Sequence, residues 1–529
     1  MRAVGVSRRS CANHAQIARG LRRSEGLRAT LLTAALALCT AFPCAAFAAE
    51  PASLDDPSPA AGLQNDAAAG DIATSRLAQA GAPAARTSDA PKPDVSAEIE
   101  ARKSYSIPAV EIVGFDFLLN RYNRWFSNSR RDYDVTLSSI KTNLRSSWNT
   151  DSDPFKINQL GHPYQGSMYH GFARSAGLNY WESLGYAFAG SAAWEIAGET
   201  TRPSRNDQVA SGVGGTFLGE ALFRMSSLLL EKADGVPRFW REVSAAAISP
   251  ATGFNRLAFG DRFDGVFSSN DAVRYARVGL GFMGTTQNVP GTSTQLKRNE
   301  AQADFSLEYG LPGSPNYGYN RPFDYFTFQA TASSANVFEN VMTRGLLVGK
   351  EYGEGKDYRG IWGLYGSYDY ISPQTYRISS TALSLGTTGE WRLGGNVSLQ
   401  GSALAGVGYA AAGTVKGVGE SDYHYGVAPQ ALLAMRLIFG DTASLDVTGR
   451  EYFVSRATSG GRAGHDNIAR ADVALTVRIY KQHAIAIKYL WNRRDATYPD
   501  LGDRTQTRGT LGIFYTLLGH QHFGSADWR

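Results

Sequence analysis

The sequence predicts a membrane all-β barrel of about 12 antiparallel strands, preceded by an α-helical domain in or under its lumen. Three observations predict it. From about Ala272 onward, apolar residues recur at every second position, in runs of the length that crosses a bilayer when tilted. The alternate positions of many runs are charged, as a wet or filled lumen requires. Before them, Asn158–Arg224 follows helical spacing instead and sets acids among Trp and Phe, with many Gly, Ala and Ser.

The chain opens on an export signal, residues 1–49. Arg2, Arg8, Arg9, Arg19, Arg22, Arg23 and Arg28 form a basic front, Leu31 to Phe42 an apolar stretch too short to span a bilayer, and Ala46-Phe47-Ala48 a cleavage site. The front is longer than usual, which leaves a later start codon open. Charge and cysteine are both read differently once this segment is set aside. The whole chain carries 53 basic and 48 acidic residues; without the seven Arg and Glu25 of the front, 46 and 47 remain, a net of −1. That balance gives no basic patch for nucleic acid, so no nucleic-acid partner is expected. Cys11, Cys39 and Cys44 also lie in the front, which excludes disulfides, thiolate metal sites and a cysteine nucleophile from the mature chain.

Residues 50–100 are rich in Ala, Pro, Ser and Asp and nearly free of aromatics. They bury too little apolar surface to offset ordering entropy and read as a disordered linker. The helical domain is expected over residues 101–250. Ile107 to Phe126 is apolar and reads as a short amphipathic helix or an added strand. Helices are then expected over Ser167–Ala176, Tyr180–Thr200 and Asp207–Lys232, the last capped around Arg205-Asn206-Asp207, with a fourth piece over Pro237–Ile248. His162 precedes Pro163 and is expected in a loop. Ser211, Gly215 and Gly219 recur at spacing four, which lets two helix backbones approach closely.

The barrel is expected over residues 251–529. In Gln302–Tyr309, Ala303, Phe305, Leu307 and Tyr309 oppose Gln302, Asp304, Ser306 and Glu308; in Ala469–Tyr480, Ala471, Val473, Leu475, Val477 and Ile479 oppose Arg470, Asp472, Thr476 and Arg478. Long loops such as Thr285–Lys297 and Arg456–Asp466 alternate with tight turns such as Gly394-Gly395-Asn396. Aromatic residues often end the apolar face, as interface girdles do. A secreted two-sheet protein is the competing architecture.

The candidate catalytic residues are His162, His170, Glu195 and Glu199. Two neutral imidazoles with Glu195 and Glu199 one helical turn apart could transfer protons or hold a divalent metal. The plainer reading makes them pins of a buried polar network. Asn158, Tyr164, Arg174, Glu182, Arg205, Asp207, Glu220 and Arg224 are the candidate binding residues. A carboxylate set against apolar rings has a raised pKa and can act as an acid; alternatively the acids pair with Arg174, Arg205 and Arg224, or dock the helices on strand charges such as Arg470, Asp472 and Arg478. No metal or other cofactor is specified by these spacings. HExxH, Walker and dinucleotide loops are all lacking, and no serine lies in G-x-S-x-G.

The segments F-x-L-L-N-R-Y-N-R near Phe115, N-Q-x-G-H-P-Y-Q-G-S from Asn158, W-E-x-x-x-E, S-R-N-D and G-G-x-x-L-G-E resemble an uncharacterised family of Gram-negative envelope proteins, defined as a domain of unknown function, over about Ile107 to Arg224. The last strand, Gly509 to Leu518, resembles the terminal sorting signal of bacterial outer-membrane barrels but carries a polar tail, His520 to Arg529. These likenesses imply a Gram-negative outer membrane, with its lipids and the barrel-assembly machinery as partners. The functional expectation is an envelope protein whose helical domain plugs or gates the lumen, in transport or envelope structure. The alternative is a barrel-tethered lipid or envelope-polymer hydrolase. Oligomeric state is not legible.

Overall fold

The computed structural model describes residues 103–525, apart from 152, 232–235, 270–271, 289–292, 313–316, 354–356, 374, 415–422, 456–463, 499–502 and 520–522. The expected signal and linker, most of the Arg456–Asp466 loop, and parts of the Thr285–Lys297 loop and the polar tail lie outside the described residues.

Twelve antiparallel strands close into one barrel in chain order, with β1 (Arg274–Asn288) paired to β12 (Arg504–Leu518). Between them run β2 (Gln295–Tyr309), β3 (Phe326–Ser333), β4 (Asn340–Tyr352), β5 (Tyr358–Ile371), β6 (Tyr376–Gly394) and β7 (Val397–Thr414). The rest are β8 (Tyr423–Phe439), β9 (Ala443–Ser455), β10 (His465–Tyr480) and β11 (His483–Thr497). Closure leaves no unpaired edge. The turn into β7 needs Gly394 and Gly395, whose φ values of 99° and 58° exclude most side chains. It lies at the same barrel end as the short connections β8–β9 and β10–β11.

The period of two separates the faces. Phe282, Leu385, Ile479 and Ile513 point out and are more than half exposed. The other face is crossed by direct bonds between distant strands. Arg436 on β8 reaches Glu308 on β2, Arg450 on β9 reaches Gln329 on β3, and Tyr376 on β6 bonds Asn492 on β11. Lys488 on β11 pairs with Asp304 on β2. A polar cavity of about 170 Å³ remains among Asp304, Arg344, Arg450 and Lys488. At the tight-turn end Phe523, fully buried, packs near Tyr275, and the Gly524 carbonyl accepts from Gln400 Nε2 at 2.8 Å. The barrel is thus filled by its own side chains and its own C-terminal segment.

Seven helical rods precede it among the described residues. They are α1 (Ser106–Phe126), α2 (Leu137–Arg145), α3 (His162–Ser175, entered through a π turn Ile157–Gly161) and α4 (Tyr180–Ala197). Rod α5 joins Arg205–Val209, a π turn Ala210–Gly214 and Gly215–Leu230. Then come α6 (Arg238–Ile248) and α7 (Pro250–Phe259). Ile107–Phe126 is therefore helix, not strand. His162 is helical too, φ −61°; Pro163 occupies the first turn, where its missing N–H costs nothing. The cap of α5 is Ser204, whose side chain accepts from the Asp207 N–H.

The helices are not in or under the lumen. They lie against the outer wall of the barrel. Phe217 presses on Gly366, and Gly214 on Thr381 and Tyr368. Through strand pairing, Gly366 shares its face with Leu383 and Val407, and Tyr368 shares its face with Thr381 and Tyr409. Leu383 and Val407 are about half exposed on that face. The physical reason is room: the lumen is already closed by its own ion pairs. Nor do the helices dock on Arg470 or Asp472, which pair with each other on the inner face. Their landing is aromatic. Phe155 packs on Tyr370 and Tyr423, and Phe323 stacks on both Tyr180 and Phe217. Phe323 is fully buried with φ 65°, a conformation costly for a non-glycine residue and held by this packing.

Candidate functional site

Rods α3 and α5 cross through small residues. A Cβ on Gly166 would strike the Ser211 backbone, one on Gly215 would come within 2.6 Å of the Gly166 Cα, and one on Gly219 within 3.0 Å of the Ser167 carbonyl oxygen. The spacing-four stripe therefore does what its residue sizes allow. Every residue from His162 to Arg174 is buried. The polar ones gather into two clusters, one at each end of the crossing.

The first cluster forms beside the two π turns, a feature frequent at functional sites. His162 from α3, Glu195 from α4 and Asp207 from α5 bring ligand atoms within 4.8 Å of one another. His162 Nε2 stands 3.9 Å from Asp207 Oδ1, too far for a hydrogen bond, and its Nδ1 faces Ser211 Oγ at 3.4 Å. Glu195 Oε2 accepts from the Ser204 N–H at 2.8 Å, while its Oε1 is buried without a partner. Asn206 Nδ2 donates to Asp207 Oδ1 at 2.9 Å. Asn158 Nδ2 donates to Asp151 Oδ2 and Tyr423 OH, and Gln159 Nε2 to Tyr425 OH. Burial, then Glu199 and Asp207, push the Glu195 carboxyl well above its ordinary range; burial, then Asp151, does the same to Asp207. Burial followed by Asp207 raises Glu199 too. Burial lowers the His162 pKa, against the pull of Asp151 and Asp153.

The second cluster is an ion chain. Glu220 takes Arg174 Nε at 2.7 Å, Arg224 Nε at 2.8 Å and His170 Nε2 at 3.0 Å. Arg224 continues to Asp324 Oδ1 at 3.1 Å, in the β2–β3 connection. Burial alone would raise the Glu220 pKa; Arg174, His170 and Arg224 outweigh it and hold the carboxyl well below the usual range. Beside this chain opens a pocket of about 900 Å³. Its lining includes Lys103, Arg174, Arg224, Arg262 and Arg321 against one carboxylate, Glu220, together with Tyr180, Trp181, Phe223 and Phe267. Arg174 lies over the Phe223 ring at 4.5 Å, and Arg321 and Arg224 over Phe267 at 4.4 and 4.6 Å.

The four candidate catalytic residues therefore divide. His162 and Glu195 meet in the first cluster with Glu199 electrostatically beside them; His170 belongs to the second. Of the binding candidates, Asn158 and Asp207 join the first cluster and Arg174, Glu220 and Arg224 the second. Glu182 instead closes a capping box with Asn179 and pairs with Lys103 at 2.6 Å. Tyr164 is buried in a separate apolar core with Met168 and Trp194. Arg205 is exposed. The expected pairing of acids with arginine holds for Glu220; among the described residues no ion pair with Lys or Arg joins Glu195, Glu199 or Asp207. Arg321 and Phe267 escaped the sequence reading, which had Asn206 only as part of a cap, Ser211 only as a packing position and Ser204 within the S-R-N-D segment. Tyr423 and Tyr425, two apart on one strand face, were its available signal for a polar landing on the wall.

A search of curated proteins finds no match. Among solved structures the chain is similar to the NanC porin (9% identity, 45% of this chain and 98% of that one, TM-score 0.24). It is also similar to OpdQ of Pseudomonas aeruginosa (9%, 47% and 98%, 0.19) and to the outer membrane channel DcaP of Acinetobacter baumannii (7%, 48% and 99%, 0.23). The strand pairing, not these likenesses, defines the fold. Residues 147–251, which hold most of both clusters, match the model of a domain of unknown function, DUF3943; the match leaves out the Phe115 segment and runs past Arg224.

Proposed function

We propose that the chain is an outer-membrane barrel whose working part is the helical domain on its outer wall, and that this domain binds an anionic lipid. The observation that carries the reading is an inversion of polarity. The exposed positions of α4 are Trp181, Gly185, Phe188, Ala189, Ala193 and Ala197, and those of α1 include Val110, Val113, Phe117, Trp125 and Phe126; none on either helix is charged. Their charged residues are partly covered, Glu182 by Lys103 and Arg124 by Asp134. Two helices whose exposed faces are uncharged and largely apolar suit hydrocarbon on that side of the domain, not water. No described helix is long and apolar enough to cross a membrane. In this reading the barrel strands span, with Phe282, Leu385 and Ile513 facing the lipid, and the helices lie alongside.

The basic, aromatic-lined pocket fits an amphiphile with an anionic head: Arg and Lys for phosphate oxygens, rings for the first methylenes. It adjoins the β2–β3 connection, at the barrel end with the tight turns. In outer-membrane barrels such turns face the periplasm, so the ligand is a phospholipid of that leaflet. His170 is held by Glu220 and sits apart from the His162 cluster, which argues for binding over hydrolysis by a paired-His centre. A conduit is the second reading, favoured by the polar lumen, though cross-lumen ion pairs hold it shut.

Two measurements test the main reading. Spin labels on Ala193→Cys should be accessible to lipid-soluble oxygen and shielded from a water-soluble nickel chelate. Native mass spectrometry from nanodiscs should retain phosphatidylglycerol over phosphatidylcholine, and Arg262→Glu with Arg321→Glu should abolish that preference. A water-accessible Ala193 position, or equal retention of both lipids, overturns it.

A further inference from the structure

We infer that His162, Glu195 and Asp207 form a site for one divalent metal ion of the zinc or manganese class, which clamps α3, α4 and α5 together. Geometry comes first. Three side chains from three rods converge with ligand atoms within 4.8 Å. The 3.9 Å between His162 Nε2 and Asp207 Oδ1 is too long for a hydrogen bond and is spanned by one ion with bonds of ~2.1 Å. Ligand atoms on one tetrahedral ion with such bonds stand ~3.4 Å apart, so the His162–Asp207 pair closes by about half an ångström and Glu195, within 4.8 Å of both, by at most ~1.4 Å.

A second, independent observation points to a ligand. Glu195 is fully buried and its Oε1 has no partner. A buried carboxylate oxygen is otherwise hydrogen-bonded or paired. Neighbouring groups already hold the remaining atoms in place: the Ser204 N–H fixes Glu195 Oε2, Asn206 Nδ2 fixes Asp207 Oδ1, and Ser211 Oγ faces His162 Nδ1, leaving Nε2 directed inward. Such outer partners set ring orientation and tautomer in metal sites.

Charge balance selects the ion. Two carboxylates, one neutral imidazole and a dication sum to zero, the only cheap state for a group of ions removed from water. Without the dication, Glu195 and Asp207 stand among Asp151, Asp153 and Glu199. Imidazole with carboxylate favours zinc, manganese or ferrous ion over calcium and over cuprous ion, which prefers thiolate and thioether. The site stands twelve residues along α3 from Arg174, a separation of ~18 Å at 1.5 Å per residue, so it is distinct from the lipid pocket and independent of that reading.

The test uses the full chain in detergent, stripped with chelator and titrated with zinc or manganese chloride. Uptake of one ion per chain and a rise in the melting temperature of the helical domain are expected. Glu195→Gln should melt no lower than the stripped wild type, because it replaces a buried acid by a neutral amide of the same shape, and should show no metal-dependent rise; Asp207→Asn should behave alike. A wild-type chain that takes up no stoichiometric ion overturns the site. So does a Glu195→Gln chain that binds the ion as the wild type does.

Discussion

Arg436 and Glu308 stand on opposite sides of the barrel, on β8 and β2, and meet across its full width at 2.9 Å. Asp446 takes the same guanidinium at 2.6 Å. Removing Arg436 strips Glu308 of this partner and leaves Asp446 with Arg277 at 3.6 Å. Arg436→Gln should therefore cost ~3–5 kcal/mol, read as a lower urea midpoint of barrel unfolding in micelles. It should also raise single-channel conductance in planar bilayers. Unchanged conductance would mean that other contacts hold the lumen shut.

The C-terminal segment closes the tight-turn end. Phe523 is fully buried against the Tyr275 region, so Phe523→Ala should destabilise by about 3 kcal/mol. A chain ending at Leu518 should conduct more than the full chain. Equal currents from the two would show that the segment seals nothing.

At the helix crossing, Gly166 has no room for a side chain because the Ser211 carbonyl lies where a Cβ would go. Gly166→Val should separate α3 from α5, at a cost of at least ~1–3 kcal/mol. Limited proteolysis should then cut the helical domain while the barrel keeps its heat-dependent gel shift. A protease pattern like that of the wild type would contradict the close crossing.

Helix α1 carries a pH dependence. Asp116 accepts from the Tyr169 hydroxyl, and burial raises its pKa to about 8. Glu111 is raised to about 8 by burial as well. A raised acid pKa means that the folded state keeps a proton the unfolded state has lost. Stability is then full below the unfolded value near 4, falls as pH rises from there to about 8, and levels off above. Melts of the helical domain between pH 5 and pH 8 should show this decline. Asp116→Asn should flatten it by up to ~1.4 kcal/mol per pH unit. A profile rising with pH would reverse the sign and refute the assignment.

Much of the barrel was legible because strand alternation is a local property. Val473, Leu475 and Val477 against Arg470 and Asp472 sort by face whatever their neighbours do. The helical segments were legible for the same reason, as was the Gly215 and Gly219 stripe. Where those helices dock was not. Charged inner faces suggested a space for them, but Arg436, Arg450 and Lys488 are long enough to fill that space alone, and nothing in a linear pattern states how far a side chain reaches. The clusters were half legible. His162 and Glu195 were singled out, but their meeting with Asp207 depends on a crossing of three rods. His170 and Arg174 lie four apart and share Glu220, which spacing alone could not choose over Glu195. His162 was misplaced into a loop because the rule for residues before proline ignores a π turn.

The aromatic landing of the helices spans strands that emerge late in synthesis. Tyr423 and Tyr425 lie more than 250 residues after Phe155 and Asn158, their partners. The helical domain is made first, yet its berth on β3 to β6 is not complete until β8 exists, so it must be kept from aggregating by some other means while the sheet is completed. The joint between β1 and β12 falls on the bare arc of the perimeter, where Leu280, Phe282, Leu511 and Ile513 stay uncovered. Zipping of that joint is unobstructed by the helices, and the early-made half of the molecule can settle against its wall after the ring has shut.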